Sequence, residues 1–247
     1  MFYLFSFLIF LNVLSQSTSF YLPGLAPVNF CVEGRESPNC KSKVDLFVNR
    51  LNSDQNIIAY DYDKFGFCGA DSRDSPVENL GQVLFGERIK SSSYRITFNK
   101  TERCTLLCRK EYKADNVYEG DTLHLLKRGM RLNYQHHWII DSMPVAFCFL
   151  NPQNHPVCTT GFPMGCYVTP QSKPKDACLL EPKYRDADSY YIFNHVDILI
   201  RYRNLSSDAN FLEQSYGNRI INITVQPRSI KHPSENNLDC SENAPAL

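Results

Sequence analysis

Residues 78–108, ENLGQVLFGERIKSSSYRITFNKTERCTLLC, constrain the fold more than any other stretch of the chain. From Tyr94 the side chains alternate, with Tyr94, Ile96 and Phe98 on one face and Arg95, Thr97 and Asn99 on the other. That is the period of a half-buried strand whose apolar face points to a core. Asn99-Lys100-Thr101 is a glycan-acceptor sequon in the turn that follows. Cys104, Leu106 and Cys108 then alternate onto one face of a second strand candidate. Strand pattern, sequon and paired cysteines in one run predict β structure made outside the cytosol.

The N-terminus supports that compartment. Residues 2–14 are an apolar run, followed by Ser17-Thr18-Ser19, which places small residues where a signal peptidase reads them. A run of about 13 residues is short of the ~20 needed to span a bilayer. The segment 1–19 is therefore read as a signal peptide cleaved before Phe20, its positive charge supplied by the amino terminus alone. Beyond it, the longest uncharged run, 142–172, is broken by Pro144, Pro152, Pro156, Pro163 and Pro170, so no transmembrane segment is expected in the mature chain. Lys plus Arg equals Asp plus Glu at 26 each, a balance that favours neither nucleic acid nor an anionic membrane surface.

In an oxidising compartment the ten cysteines read as disulfides. No C-x-x-C spacing is present, which sets zinc aside. Cys31 and Cys40 close a short polar loop and form the first expected pair. On an extended strand, Cys104 and Cys108 would lie about 13 Å apart, too far to bond to each other; each needs another partner, and Cys68 and Cys240 are the favoured ones. Cys148, Cys158, Cys166 and Cys178 lie in a region rich in Pro and Gly, where a nested arrangement, Cys158 to Cys166 inside Cys148 to Cys178, is expected. Sequence alone leaves the connectivity open.

Elsewhere Val44, Phe47, Val48 and Leu51 fall at helical spacing, predicting a short amphipathic helix over 43–52. Tyr60, Tyr62, Phe65 and Phe67 form an aromatic group read as core in preference to a sugar platform. The adjacent His136 and His137 point to opposite faces of a strand and cannot readily share a metal; either ring is a candidate sensor of mild acidity. Residues 186–202 alternate with apolar groups on both faces, predicting one central strand covered on both sides. Ile220, Asn222 and Thr224 alternate with Ile221, Ile223 and Val225 as a further strand, and the tail from Pro227 reads as loop. Asn204 and Asn222 head two more sequons, so Asn99, Asn204 and Asn222 are the candidate glycan sites. These patterns predict an all-β, mostly antiparallel, two-sheet sandwich stapled by disulfides, with short helical and loop insertions.

Residues 79–89 (NLGQVLFGERI) with 94–100, together with the runs FYLPGLAP at 20–27, LNYQHHWI at 132–139 and YIFNHVDI at 191–198, resemble the N-terminal lumenal domain of the nonaspanins, the transmembrane 9 superfamily. The resemblance covers residues 20–247. It implies a lumenal domain that in the family continues past the position of Cys240 toward nine membrane helices, so that this chain would be C-terminally incomplete and would expose a strand edge. It also implies a role in localising or sorting membrane-protein cargo along the Golgi and endosomal membranes. No nucleophile elbow, H-E-x-x-H pair, P-loop or dinucleotide fingerprint occurs; a non-enzymatic domain without cofactor is expected. The alternative reading is a secreted, disulfide-rich glycan- or ligand-binding protein.

Overall fold

The structure, a computed structural model, describes residues 28–69, 80–84, 86–112, 117–151, 153–175, 180, 183, 185–205, 217–234 and 237–241. Residues 1–19, read above as a signal peptide, lie outside them. The strands are β1 Lys43–Val48, β2 Lys90–Thr97, β3 Gln135–His136, β4 Trp138–Ile140, β5 Met143–Pro144, β6 Ala146–Leu150, β7 Pro156–Thr159, β8 Phe162–Pro163, β9 Gly165–Val168, β10 Pro174–Lys175, β11 Ser189–Ile192, β12 His195–Asn204 and β13 Asn218–Arg228. Among the described residues two helices, α1 Leu80–Leu84 and α2 Val117–Arg131, and a 3-10 turn at Tyr62–Phe65 interrupt them. Among the described residues no helix is long and apolar enough to cross a membrane.

The expected all-β, mostly antiparallel character is present, but the strands divide among four small sheets instead of two. Their orders are β2-β1-β4-β5, β10-β9-β11, β12-β13-β6-β7 and the ribbon β3-β8. β13 and β6 run parallel. One core takes side chains from three of these sheets and from α2: Val44, Leu46 and Val48 of β1, Leu126 and Met130 of α2, Trp138 and Ile140 of β4, Phe147 of β6, Phe162 of β8, and Ile220, Ile223 and Val225 of β13. A smaller cluster of Cys166, Val168, Leu180, Tyr191 and Phe193 lies under the three-stranded sheet.

Residues 43–48 are a strand and not the predicted helix. Val44 and Val48 are four apart, which suits a helix face and a strand face equally. Leu46 is buried between them while Asp45 is exposed, a period of two that pairing with β2 and β4 enforces. The expected single strand over 186–202 divides into β11 and β12, which belong to different sheets. The division is at Phe193 and Asn194. Phe193 N–H donates to the Met164 carbonyl at 3.0 Å, while the Asn194 carboxamide donates to the Ile230 carbonyl at 2.9 Å and accepts from the Ile230 N–H at 2.8 Å. β12 is accordingly an edge strand with one largely exposed face, not a central one. The predicted strand over 220–225 is present within β13, with one correction: the register shifts between Arg201 and Tyr202 of β12, so Ile220 as well as Ile223 is buried while Ile221 is exposed.

Disulfides fasten these pieces. Cys31–Cys40 forms as expected, and the two favoured partners are taken as Cys68–Cys108 and Cys104–Cys240, an assignment the sequence left open, with Cα separations of 5.7, 5.9 and 5.6 Å. Residues 101–112 carry no strand, however, so the predicted strand through Cys104 and Cys108 is absent; Cys104 takes a left-handed φ of 57°. The nested arrangement is overturned. Cys148 and Cys158 face each other across the β6–β7 hairpin and bond, Cα atoms 4.1 Å apart. Cys166 is also disulfide-bonded. Cys178 lies outside the described residues.

Candidate functional site

Residues 51–60 form a closed loop. Leu51 and Tyr60 exchange backbone hydrogen bonds of 2.8 and 2.9 Å, which brings the ends together in the manner of an Ω loop. Its interior is tied to the core. The hydroxyl of buried Tyr134 donates to the Ile58 carbonyl at 2.6 Å and accepts from Asn56 Nδ2 at 2.8 Å. Ser53 Oγ bonds the Leu132 carbonyl, and Gln135 N–H donates to Asn52 at 2.9 Å. Ile57 stands between the two residues fixed by Tyr134 and is fully exposed; Ile58 is more than half exposed.

The second wall is 80–90. α1 ends in a turn in which Gly86 N–H bonds the Val83 carbonyl at 3.0 Å and Glu87 N–H the Gln82 carbonyl at 2.9 Å. Gly86 has a φ of 71°, a left-handed conformation that glycine adopts without strain. Ile89 is buried and pins the segment to the core, whereas Val83 and Leu84 of α1 are exposed.

Arg50 joins the two walls. Its Nη2 donates to the Ala59 carbonyl at 2.8 Å, its Nη1 to the Gly86 carbonyl at 3.3 Å, and its Nε is 3.2 Å from Asp61 Oδ1. Arg88 reaches the other oxygen of the same carboxylate at 3.3 Å. Asn49 Oδ1 accepts from the N–H groups of both Arg50 and Arg88, each at 2.8 Å. A planar five-donor guanidinium suits this divergent set of acceptors; a lysine ammonium does not. The outcome is Ile57, Ile58, Val83 and Leu84 displayed on a pre-ordered backbone. Apolar groups held this way contribute contact area to a partner with little ordering cost, each worth roughly 1.5–3 kcal/mol if fully covered.

The profile of one protein family, described as Endomembrane protein 70, matches residues 59–247. The chain belongs to the endomembrane protein 70 family. It is 46% identical to rat transmembrane 9 superfamily member 2 over 224 residues, 91% of this chain and 33% of the relative. Human member 2 is likewise 46% identical over 226 residues, 92% of this chain and 33% of the relative. Human member 4 is 25% identical over 228 residues, 91% and 32% of the two chains. The chain thus spans about a third of the length of the relatives it matches. No solved structure matches it. The resemblance to the transmembrane 9 superfamily is borne out.

On this endomembrane protein 70 scaffold the three sequon asparagines, Asn99, Asn204 and Asn222, are all exposed. They sit away from the loop, at the turn after β2, at the end of β12 and within β13. The aromatic group at 60–67 is core, as expected: Tyr62 and Phe65 are buried, and Phe65 packs edge-on to Tyr60. His136 and His137 do point to opposite sides. His136 is buried among Phe67, Phe162, Tyr62 and Trp138, ring centroids 4.8, 5.0, 5.8 and 5.9 Å away, while His137 Nε2 lies 2.6 Å from Asn52 Oδ1. His136 is not the mild-acid sensor considered above. Burial pushes His136 down to about 3, assisted by the neighbouring His137, and burial lowers His137 as well.

Sequence reasoning passed over the 51–60 loop and read 78–89 as β structure. The available signal was Ile57-Ile58 flanked by the polar run 52–56, an apolar pair with no periodicity to bury it.

Proposed function

We propose that this chain is the lumenal, non-enzymatic recognition part of an endomembrane protein that localises or sorts other membrane proteins along the Golgi and endosomal route. The observation that carries the reading is a set of exposed apolar residues on anchored backbone: Ile57 and Ile58 on the loop held by Tyr134, and Val83 and Leu84 on the segment that Arg50 ties to that loop. Family membership and a disulfide-stapled architecture, which forms in oxidising compartments, support placement in the secretory system. The partner is a lumenal segment of a membrane protein that offers apolar side chains to these residues.

A photo-crosslinking amino acid placed at Ile57 of the native protein in cells tests it. Crosslinks to membrane proteins are expected, and Ile57→Asp with Leu84→Asp should abolish them and redistribute the captured partners, leaving the thermal midpoint unchanged. Unaltered partner distribution in a normally folded double variant refutes the recognition role. Accumulation of the chain in the medium instead of membranes would favour the secreted binder.

A further inference from the structure

The three sequons are far apart in sequence but flank one end of the β12–β13 hairpin. The Tyr202 hydroxyl donates to Asn99 Oδ1 at 2.9 Å across 103 positions of chain. The Tyr202 ring also meets Phe98 edge-on, centroids 4.7 Å apart. Asn204 lies two residues beyond Tyr202 on the same strand, and Asn222 is the cross-strand partner of Arg201. Asn204 shares the Tyr202 face of the strand, whereas Asn222, opposite Arg201, lies on the other face about 10 Å back along the ladder, so the three flank this end of the hairpin from both faces. All three are exposed.

The same end belongs to an edge. Among the described residues β12 pairs on one side only, with β13, and it carries Ile198, Leu199, Ile200 and Tyr202 over ten residues, with Leu199 and Tyr202 exposed. A long edge strand with apolar side chains is a template for unwanted pairing, and proteins blunt such edges. Near its start, Asp197 is engaged by Arg228 and His195, each at 3.0 Å. The sequons stand at the other end.

We propose that Asn99, Asn204 and Asn222 carry N-linked glycans that flank the Arg201–Asn204 end of β12 from both faces of the sheet and block edge-to-edge association. The inference rests on the lumenal placement proposed above. At each site the carboxamide Nδ2 attacks the anomeric carbon of a lipid pyrophosphate-linked oligosaccharide supplied by the secretory pathway. The N–C bond forms as the C–O bond to pyrophosphate breaks, the lipid pyrophosphate leaves, and one amide proton passes to base. At Asn99 the hydrogen bond from Tyr202 uses Oδ1 and survives the modification. A glycan-flanked hairpin end also leaves the anchored loop as the accessible recognition face.

The native full-length protein is isolated in sealed microsomes, challenged with protease, and then deglycosylated in heavy-oxygen water, so that each occupied asparagine is read by mass spectrometry as labelled aspartate. Protection with label at all three positions is expected. Protection with two or more sites unlabelled overturns the flanking glycans while the lumenal reading stands; digestion in sealed vesicles overturns both. Trimming each glycan of the folded, purified protein to its first sugar should then shift sedimentation from monomer to dimer or larger, and Leu199→Lys should reverse the shift. Unchanged sedimentation after trimming overturns the edge-blocking role.

Discussion

Arg50 and His136 illustrate opposite treatments of a polar side chain. The Arg50 guanidinium holds two backbone carbonyls from separate segments and a carboxylate, so Arg50→Lys keeps a charge near Asp61 but cannot bridge Ala59 and Gly86. We expect a loss of about 1–2 kcal/mol and faster hydrogen exchange over 51–60 and 82–87; unchanged protection there would show that Arg50 does not join the walls. His136 is instead isolated, with Nδ1 lacking a hydrogen-bond partner among the described residues. Its folded value of about 3 lies below the ~6.5 of an unfolded chain. The unfolded state therefore binds the extra proton as pH falls below about 6.5, and stability decreases down to about pH 3. Between pH 7 and 5 this one ring should remove roughly 2 kcal/mol. Urea titrations at the two values should show His136→Phe losing less than wild type by that amount, and identical losses would disprove the assignment.

At the level of elements, periodicity and pairing compete. β1 was open to two readings because Val44 and Val48 satisfy both, and only the neighbours β2 and β4 select the strand. The run 186–202 reads as one strand because alternation continues through Asn194, yet the double hydrogen bond of that carboxamide to Ile230 ends one sheet and begins another. Helix α2 follows the reverse logic: Leu126 and Met130 are buried four apart, a helical signal overshadowed by the surrounding strands. It packs where β9 offers no side chain. At Gly165 a Cβ would lie 2.5 Å from the Tyr191 carbonyl and 2.7 Å from Met130 Sδ. Because the nearer atom is backbone, Gly165→Ala must displace β11 or α2, and we expect a loss of about 1–3 kcal/mol, seen as a lower thermal midpoint. An unchanged midpoint would mean that the sheet yields freely.

For the whole molecule, the Cys104–Cys240 bond ties the 101–112 segment to the C-terminal segment across 136 residues. That segment is docked as well as tethered: Ile230 is buried and held by Asn194, and Arg228 Nη1 reaches the Ser241 carbonyl at 2.9 Å. A crosslink over so long a loop restricts the unfolded chain by about 5 kcal/mol on the chain-entropy view. Cys104→Ser combined with Cys240→Ser should therefore lower the urea midpoint by far more than the corresponding pair at Cys31 and Cys40, which encloses a separation of only 9. Equal effects of the two double variants would place the stabilisation outside chain entropy.

Sequence by itself determined what depends on local pattern and chemical type: the β class, the strands ending near Phe98 and covering 220–225, the burial of Tyr62 and Phe65, the pairing of Cys31 with Cys40, and the family, carried by residues 79–100 and the runs at 20–27, 132–139 and 191–198. Tertiary structure alone decided what depends on which segments meet. The split at Asn194, the edge position of β12, the pairing of Cys148 with Cys158 and the neutral isolation of His136 all arise from contacts between distant parts of the chain. The candidate site belongs to this second group. Ile57 and Leu84 are ordinary apolar residues in sequence. They are left outside because Tyr134 and Arg50 use the hydrogen-bonding capacity of the surrounding backbone to fix two loops over the core, a placement that no periodicity of two or 3.6 encodes.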